Sequence, residues 1–144
     1  RFEELSNYEL YAILQLRERV FVVEQNCPYL DCDGKDLHAY HLWIPDEEGV
    51  PVAYCRLLPA GISYETYASI GRVVSHPEHR KTGAGRALMS LAMDHIVRLF
   101  PGQPVKISAQ QYLLRFYQDF GFVPVGDVYL EDDIPHVAMV YALQ

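Results

Sequence analysis

The chain has 144 residues, enough for one domain, spanning 1–144, with a real core and no need of metal or disulfide staples. Half the residues are hydrophobic and 22% are charged, and 12 Lys and Arg against 19 Asp and Glu give a net charge of −7, which argues against nucleic acid and favours a cationic or neutral partner. The three cysteines, Cys27, Cys32 and Cys55, lack C-x-x-C spacing and fit neither a disulfide framework nor a zinc knuckle, and no apolar run reaches the roughly twenty residues of a membrane span.

Ser6-Asn-Tyr-Glu9 has the form of a capping box, with Leu5 and Leu10 in the staple positions, so a helix is predicted to start there. Leu10, Ile13, Leu14, Arg17 and Phe21 follow one face, which carries the helix to about Phe21; Pro28 and the turn material Asp31 to Gly34 then interrupt it. Strands are predicted at His41–Ile44 and Val52–Leu58, joined through Pro45 to Gly49, and at Ala68–Ser75, where Gly71 marks a bulge or a close backbone approach. Leu88, Leu91, Ala92, Ile96 and Leu99 give an amphipathic helix from Gly85 that Pro101-Gly102 ends. A strand Val105–Ala109 follows, then a short helix with Leu113, Phe116, Tyr117 and Phe120 on one face, stopped by Gly121, then strands at Phe122–Val125 and His136–Leu143. The order predicts an α/β (α+β) sandwich, mostly antiparallel early, with one strand-loop-helix-strand unit in the middle. Cysteine usage and the lack of a signal-like opening segment point to the cytoplasm, and without an initiator Met the residues upstream of Arg1 stay open.

The loop Arg80-Lys81-Thr82-Gly83-Ala84-Gly85-Arg86 lies between a strand and a helix. Gly83 and Gly85 let the backbone turn its N–H groups outward at the helix start, where the dipole favours anions, although an ordinary strand-to-helix turn would also use them. No G-x-x-x-x-G-K-[ST] run occurs and no third glycine completes G-x-G-x-x-G, so triphosphate and dinucleotide sites are disfavoured.

Arg80-x-x-Gly83-x-Gly85, after Val73-Val74-Ser-His-Pro77, resembles the [QR]-x-x-G-x-[GA] signature of the GNAT N-acetyltransferases, and Phe116-Tyr117-Gln-Asp-Phe-Gly121-Phe122 resembles that family's F-Y-x-x-x-G-F segment. Phe21-Val-Val-Glu-Gln-Asn26, Ser108-Ala-Gln110 and Glu131-Asp-Asp-Ile-Pro-His136 are similar to its ElaA-like branch. The likeness spans Leu10 to Met139. It implies a mixed, mostly antiparallel central sheet flanked by helices, with two parallel strands splayed around acetyl-CoA as the acyl donor. Pantetheine would then pair with the strand Ile70–Ser75, with Gly71 near a bulge and a backbone N–H of Val73 or Val74 aimed at the thioester oxygen. Ser75 would border the same cleft. Backbone N–H groups of Lys81, Thr82, Gly83, Ala84, Gly85 and Arg86, beside Arg80, would hold the diphosphate. Gln110 stands where many relatives carry Asn and would reach pantetheine. The resemblance makes Tyr117 the proton donor to the departing thiolate, whereas periodicity alone would make it a core aromatic.

Glu24, Glu131, Asp132 and His136 each lie within reach of the general-base role, as does ordered water; Glu24, after three apolar residues, is favoured as a half-buried carboxylate. His136 is read as a structural or substrate-side residue, and Arg72 as an ion-pair partner or a substrate anchor. No metal is expected: Asp31 to Gly34 has the wrong spacing for a calcium loop, and the two H-x-x-H pairs, His38/His41 and His76/His79, lack support and read as solvated or turn histidines. The run Glu131 to Asp133 reads as a solvated turn that would attract an amine if it lay near the acceptor. The expected activity is transfer of an acetyl group from acetyl-CoA to a primary amine, small molecule or peptide, in a direct ternary complex. The alternatives are a non-catalytic acyl-CoA sensor or interaction module, or a longer acyl chain. Nucleic acid and membrane partners are not expected, and oligomeric state stays open.

Overall fold

A computed structural model describes residues 1–141, so the end of the last predicted strand, 142–143, lies outside the described residues. Helix α1 spans Asn7–Arg17 and begins at the predicted cap: the Glu9 amide donates to Ser6 Oγ at 3.0 Å and the Ser6 amide to Glu9 Oε1 at 2.8 Å. The helix does not stop at Phe21 but widens into a π-helical segment, Glu18–Glu24, with wide bonds such as Gln25 N–H to Val20 O at 3.1 Å. Its run Val20-Phe-Val-Val23 disfavours a tight α-turn, and widened turns of this kind often flank functional sites.

Three antiparallel strands follow, β1 (Tyr40–Pro45), β2 (Pro51–Leu58) and β3 (Ser69–Ser75), in that spatial order. After helix α2 (Ala84–Leu99) come β4 (Val105–Gln110), the short helix α3 (Leu114–Gln118), β5 (Val123–Glu131) and β6 (Ile134–Tyr141). The second group of strands pairs in the order β4, β6, β5, again antiparallel. The fifth strand runs well past the predicted Val125, and the sixth opens at Ile134, two residues before His136.

Strand β2 is covered on both faces. Ala53, Cys55 and Leu57 pack with Leu88, Met89, Ala92 and Ile96 of α2 on one side, while Tyr54 packs with Ile13, Leu16 and Val20 on the other. Period-2 alternation in the strand against period-3.6 patterning in two helices thus yields a three-layer arrangement around one sheet. Among the described residues no helix is long and apolar enough to cross a membrane.

The two strand groups meet at one point. Ala68, just before β3, forms a parallel bridge to Val105, through Ala68 N–H to Pro104 O and Lys106 N–H to Ala68 O, both 2.9 Å. Beyond that bridge β3 and β4 pair with each other no further and diverge, so a V opens toward Ser75 and Gln110.

The bulge in β3 does not centre on Gly71. Pairing with β2 jumps from Arg56/Gly71 to Tyr54/Val74, and the residue with positive φ is Arg72 at +52°. A non-glycine residue held there costs energy that surrounding contacts must offset. Those contacts are ionic: Arg72 Nε lies 2.8 Å from Asp31 Oδ1, Nη2 donates to Asp31 O at 3.1 Å, and the guanidinium lies 5.5 Å from the centre of the Tyr29 ring.

Asp31 belongs to a larger cluster. Arg17, fully buried, donates to Asp31 at 2.9 Å and Asp36 at 2.7 Å, and Arg56 donates to Asp33 at 2.7 Å and Asp36 at 3.0 Å. The segment read as turn material is therefore the acidic half of a buried network, and Arg17, placed on an apolar face, is its centre. His41 joins it rather than standing solvated, donating from Nε2 to Asp36 O at 3.0 Å and so accepting at Nδ1 from Tyr54 Oη at 2.6 Å.

This network predicts acid lability. Burial holds the His41 imidazole below its ordinary value near 6.5. Burial opposes ionisation of Asp33 and Asp36, yet hydrogen bonds and charge from Arg56 and Arg17 hold both below the usual carboxylate range. A depressed pKa means the unfolded chain binds more protons, so stability is lost as pH falls, first through the His41 range below about 6.5 and then below about 4 as the carboxylates titrate. The melting temperature should fall in two stages on acidification; a flat profile from pH 7 to 3 would remove the network from the stability account.

Candidate active site

The V between β3 and β4 forms a cleft of about 460 Å³. One wall is Ile70 to Ser75, the other Ile107, Ser108 and Gln110; Tyr117 and Phe116 of α3 close one side, and Phe21 and Glu24 of the π-helical segment the other. Of the residues singled out from sequence, Arg72, Val73, Val74, Ser75, Arg80, Gly85, Gln110, Tyr117, Glu24 and His136 all line this cleft.

A second hollow, adjoining the first, is lined by Ser75, Arg80, Lys81, Gly83, Gly85, Arg86 and Phe116 at the start of α2. Its two glycines serve different ends. Gly83 sits at φ +88° with open space around it, so it supplies a left-handed turn, while Gly85 is helical and a Cβ there would come within 3.4 Å of Ser75 Oγ. Lys81 also takes a positive φ, +66°. No side chain caps α2, so its first N–H groups face the hollow unsatisfied and the helix dipole adds to them. Thr82 turns its hydroxyl inward to His79 O at 2.5 Å, and Ala84 opens the helix. Arg86 lies over the Phe116 ring and pairs with Asp119 at 3.0 Å, partly engaged and partly free to the solvent. The arrangement is suited to a diphosphate: donors converge, a Cβ is missing where a backbone must come close, and cations stand around the rim.

Tyr117 is 7% exposed, and burial, with smaller contributions from Cys55 and Tyr112, pushes its phenol well above the ordinary range. At neutral pH it therefore keeps its proton, the state a proton donor needs. It packs edge-on against Phe116 and Phe122, so the bland core role and the cleft position coexist.

Glu24 is about half buried, as its apolar neighbours suggested, but its carboxylate is not free. Its side chain is 40% exposed at the cleft rim and pairs with Arg80 at 2.6 Å, tying the end of the π-helical segment to the glycine loop. Arg72, for its part, is engaged by Asp31 and Asp33 and offers no free charge to an anchor.

On the far side of the cleft sits a group that spacing did not bring together. His136 is 6% exposed; its Nδ1 donates to Ile134 O at 2.7 Å, its Nε2 lies 3.5 Å from Glu131 Oε2, and Tyr129 stacks on its ring. Ser108 bonds to the Tyr129 hydroxyl and reaches Glu131 at 3.5 Å. The turn Asp132-Asp133, both at positive φ, folds β5 back on β6 and brings Glu131 and Asp132 to the cleft lining, while Cys27 Sγ approaches Asp132 O at 3.6 Å from across the mouth. The acidic run is thus a hairpin tip beside the site, with two of its residues lining the cleft.

Comparison with known proteins agrees with this geometry. The family model of the acetyltransferase (GNAT) domain matches residues 22–143. The chain is 47% identical over 140 residues to protein ElaA of Escherichia coli K12, covering 94% of this chain and 89% of that one, and the ElaA crystal structure superposes with a TM-score of 0.89 over 97% of this chain and 94% of that one. An acyl-CoA N-acyltransferase from Pseudomonas aeruginosa superposes with a TM-score of 0.90 at 46% identity, covering 98% and 95% of the two chains. An aminoglycoside 6'-N-acetyltransferase complexed with coenzyme A shares the fold alone, with a TM-score of 0.65 at 14% identity and coverage of 90% and 89%.

Proposed function

The chain belongs to the GNAT acetyltransferase family, and from that premise we propose that it moves an acetyl group from acetyl-CoA to a primary amine by direct attack in a ternary complex. The observation that carries this reading is the V between β3 and β4, running from the uncapped start of α2 past the bulge to Tyr117. Acetyl-CoA supplies the activated thioester. The residues of this chain do the rest. N–H groups from Lys81 to Arg86 hold the diphosphate, with Arg80 beside them; Ser75 and Gln110 flank the pantetheine arm. The bulge at Arg72 turns a backbone N–H of Val73 or Val74 toward the carbonyl oxygen, where negative charge develops. Tyr117 gives its proton to the departing sulfur.

Arg72 acts here as a positioning residue, since its ion pair with Asp31 holds the bulge. Glu24 takes a comparable part, because its carboxylate is committed to Arg80 and serves the loop better than it serves a proton transfer.

Binding of the donor is expected to raise the melting temperature. A ligand bound only by the folded state at about one hundred times its dissociation constant adds roughly 2.7 kcal/mol. Replacing Gly83 and Gly85 together by Val should abolish the shift, through strain at the left-handed position and through side chains filling the approach. A folded protein that shows no shift with saturating acetyl-CoA would sink the donor assignment. Thiol release with polyamines, amino acids, aminoglycosides and peptide N-termini then tests transfer itself.

A further inference from the structure

The geometry points to His136 as the group that deprotonates the acceptor amine, with Glu131 positioning both the imidazole and the incoming cation. The assignment rests on amine acetylation being the reaction.

The tautomer follows from the hydrogen bonds. A carbonyl oxygen can only accept, so the contact between Nδ1 and Ile134 O at 2.7 Å puts a proton on Nδ1. In the neutral ring Nε2 is then a bare lone pair, on a residue that lines the cleft. Its neighbour there is Glu131 Oε2 at 3.5 Å, also a lone pair. Two acceptors facing each other are satisfied by a donor between them, and an alkylammonium carries three N–H donors with the matching charge. The ring cannot rotate away, because the Ile134 bond fixes one edge and Tyr129, itself held by Ser108, stacks on a face. Glu24, the other carboxylate at the cleft that sequence favoured, is held by Arg80.

The proton ledger closes. The acceptor enters as an ammonium and gives one proton to His136 Nε2, which passes it to solvent. The freed lone pair forms the N–C bond to the acetyl carbon. The C–S bond breaks with its electron pair on sulfur, and Tyr117 protonates that sulfur. The acylated nitrogen sheds a second proton, which returns to Tyr117 through solvent. The products are the N-acetyl amine, free CoA thiol and one net proton.

Two measurements test the assignment. Long-range nitrogen-15 NMR of histidine-labelled protein with CoA bound, recorded over a pH series, should find the neutral His136 ring carrying its proton on Nδ1; a neutral ring with its proton on Nε2 overturns the proposal. In turnover, His136→Gln should lose about a hundredfold with the ammonium-bearing panel member that the wild type uses fastest. The same variant should lose less than about tenfold with hydroxylamine, which is already uncharged at about pH 7.5. Equal losses with both nucleophiles mean a structural histidine and overturn it, as does near-normal turnover. If His136→Gln fails to fold, Glu131→Gln, at a half-exposed position, takes its place and should show the same split between charged and uncharged nucleophiles; no split overturns the proposal. Wild-type protein that binds acetyl-CoA but acetylates no amine overturns the transferase reading and this one with it, whereas normal wild-type turnover with the wrong imidazole state overturns His136 alone.

Discussion

Tyr117→Phe is expected to cut turnover about a hundredfold or more while folding, CoA affinity and the Michaelis constant for acetyl-CoA change little. The substitution removes one hydroxyl and keeps the ring that packs against Phe116 and Phe122. The start of α2, proposed to hold the diphosphate, and the bulged backbone of β3 are untouched, so donor binding should persist. On the proposed mechanism, what is lost acts only as the C–S bond breaks. Burial pushes the phenol upward, so it stays protonated through the neutral range, and in the proposed mechanism it gives up that proton as charge collects on the departing sulfur. A purely packing role predicts a different pattern, with any loss appearing as a lowered melting temperature and folded molecules turning over normally. Rate and melting temperature measured on one preparation separate the two. A large loss without unfolding also disposes of the sensor alternative, since a module that only binds acyl-CoA gains nothing from a proton donor at the sulfur. Near-normal turnover removes Tyr117 from the mechanism.

The sequence made the local features of this fold readable and hid the long-range ones. The cap at Ser6, the glycine loop and the helix that follows it depend on neighbours within a few positions, and their periodicity or spacing is visible in the chain itself. The V-shaped opening came through resemblance, because nothing local records that Ala68 pairs with Val105 and that pairing then ceases. Gly71 does stand next to the bulge, but the unusual backbone angle falls on the following residue, because ion pairs hold an arginine where glycine is the usual bearer. Glu24 was judged from its three apolar neighbours, which speak to burial and say nothing of its partner Arg80, 56 residues away in the chain. His136, Glu131, Tyr129 and Ser108 converge only through strand register, Tyr129 opposite His136 and Ser108 two residues before the partner of His136. The one available signal was the alternation of polar Lys106, Ser108 and Gln110 in β4, which puts Ser108 and Gln110 on one face.

Arg17→Met should be the most destabilising of the single substitutions considered, by about 3–5 kcal/mol, a large share of the roughly 5–15 kcal/mol that holds a typical domain folded. Methionine approximates the volume, so the loss is electrostatic. Three arginines and three aspartates balance in the network as it stands; without Arg17, Asp31 keeps Arg72 and the Tyr29 hydroxyl, Asp36 keeps Arg56, and one negative charge is left uncompensated beneath α1. Protonating a carboxylate would relieve it, so the variant should regain part of its deficit at mildly acidic pH, where the parent is losing stability. Arg86→Met makes the control. Its pair with Asp119 is about half exposed on both sides and should be worth no more than about 1 kcal/mol. The consequence reaches the site, because Asp31 is shared between Arg17 and Arg72, and Arg72 is the residue held in the bulge. At a temperature where Arg17→Met remains folded, its turnover should therefore fall more than its acetyl-CoA affinity, since in the proposed mechanism the bulge aims a donor at the developing oxyanion while the donor's diphosphate is held at the start of α2. Equal falls in both, or a stability loss no larger than that of Arg86→Met, would mean that the network neither carries the fold nor supports the bulge.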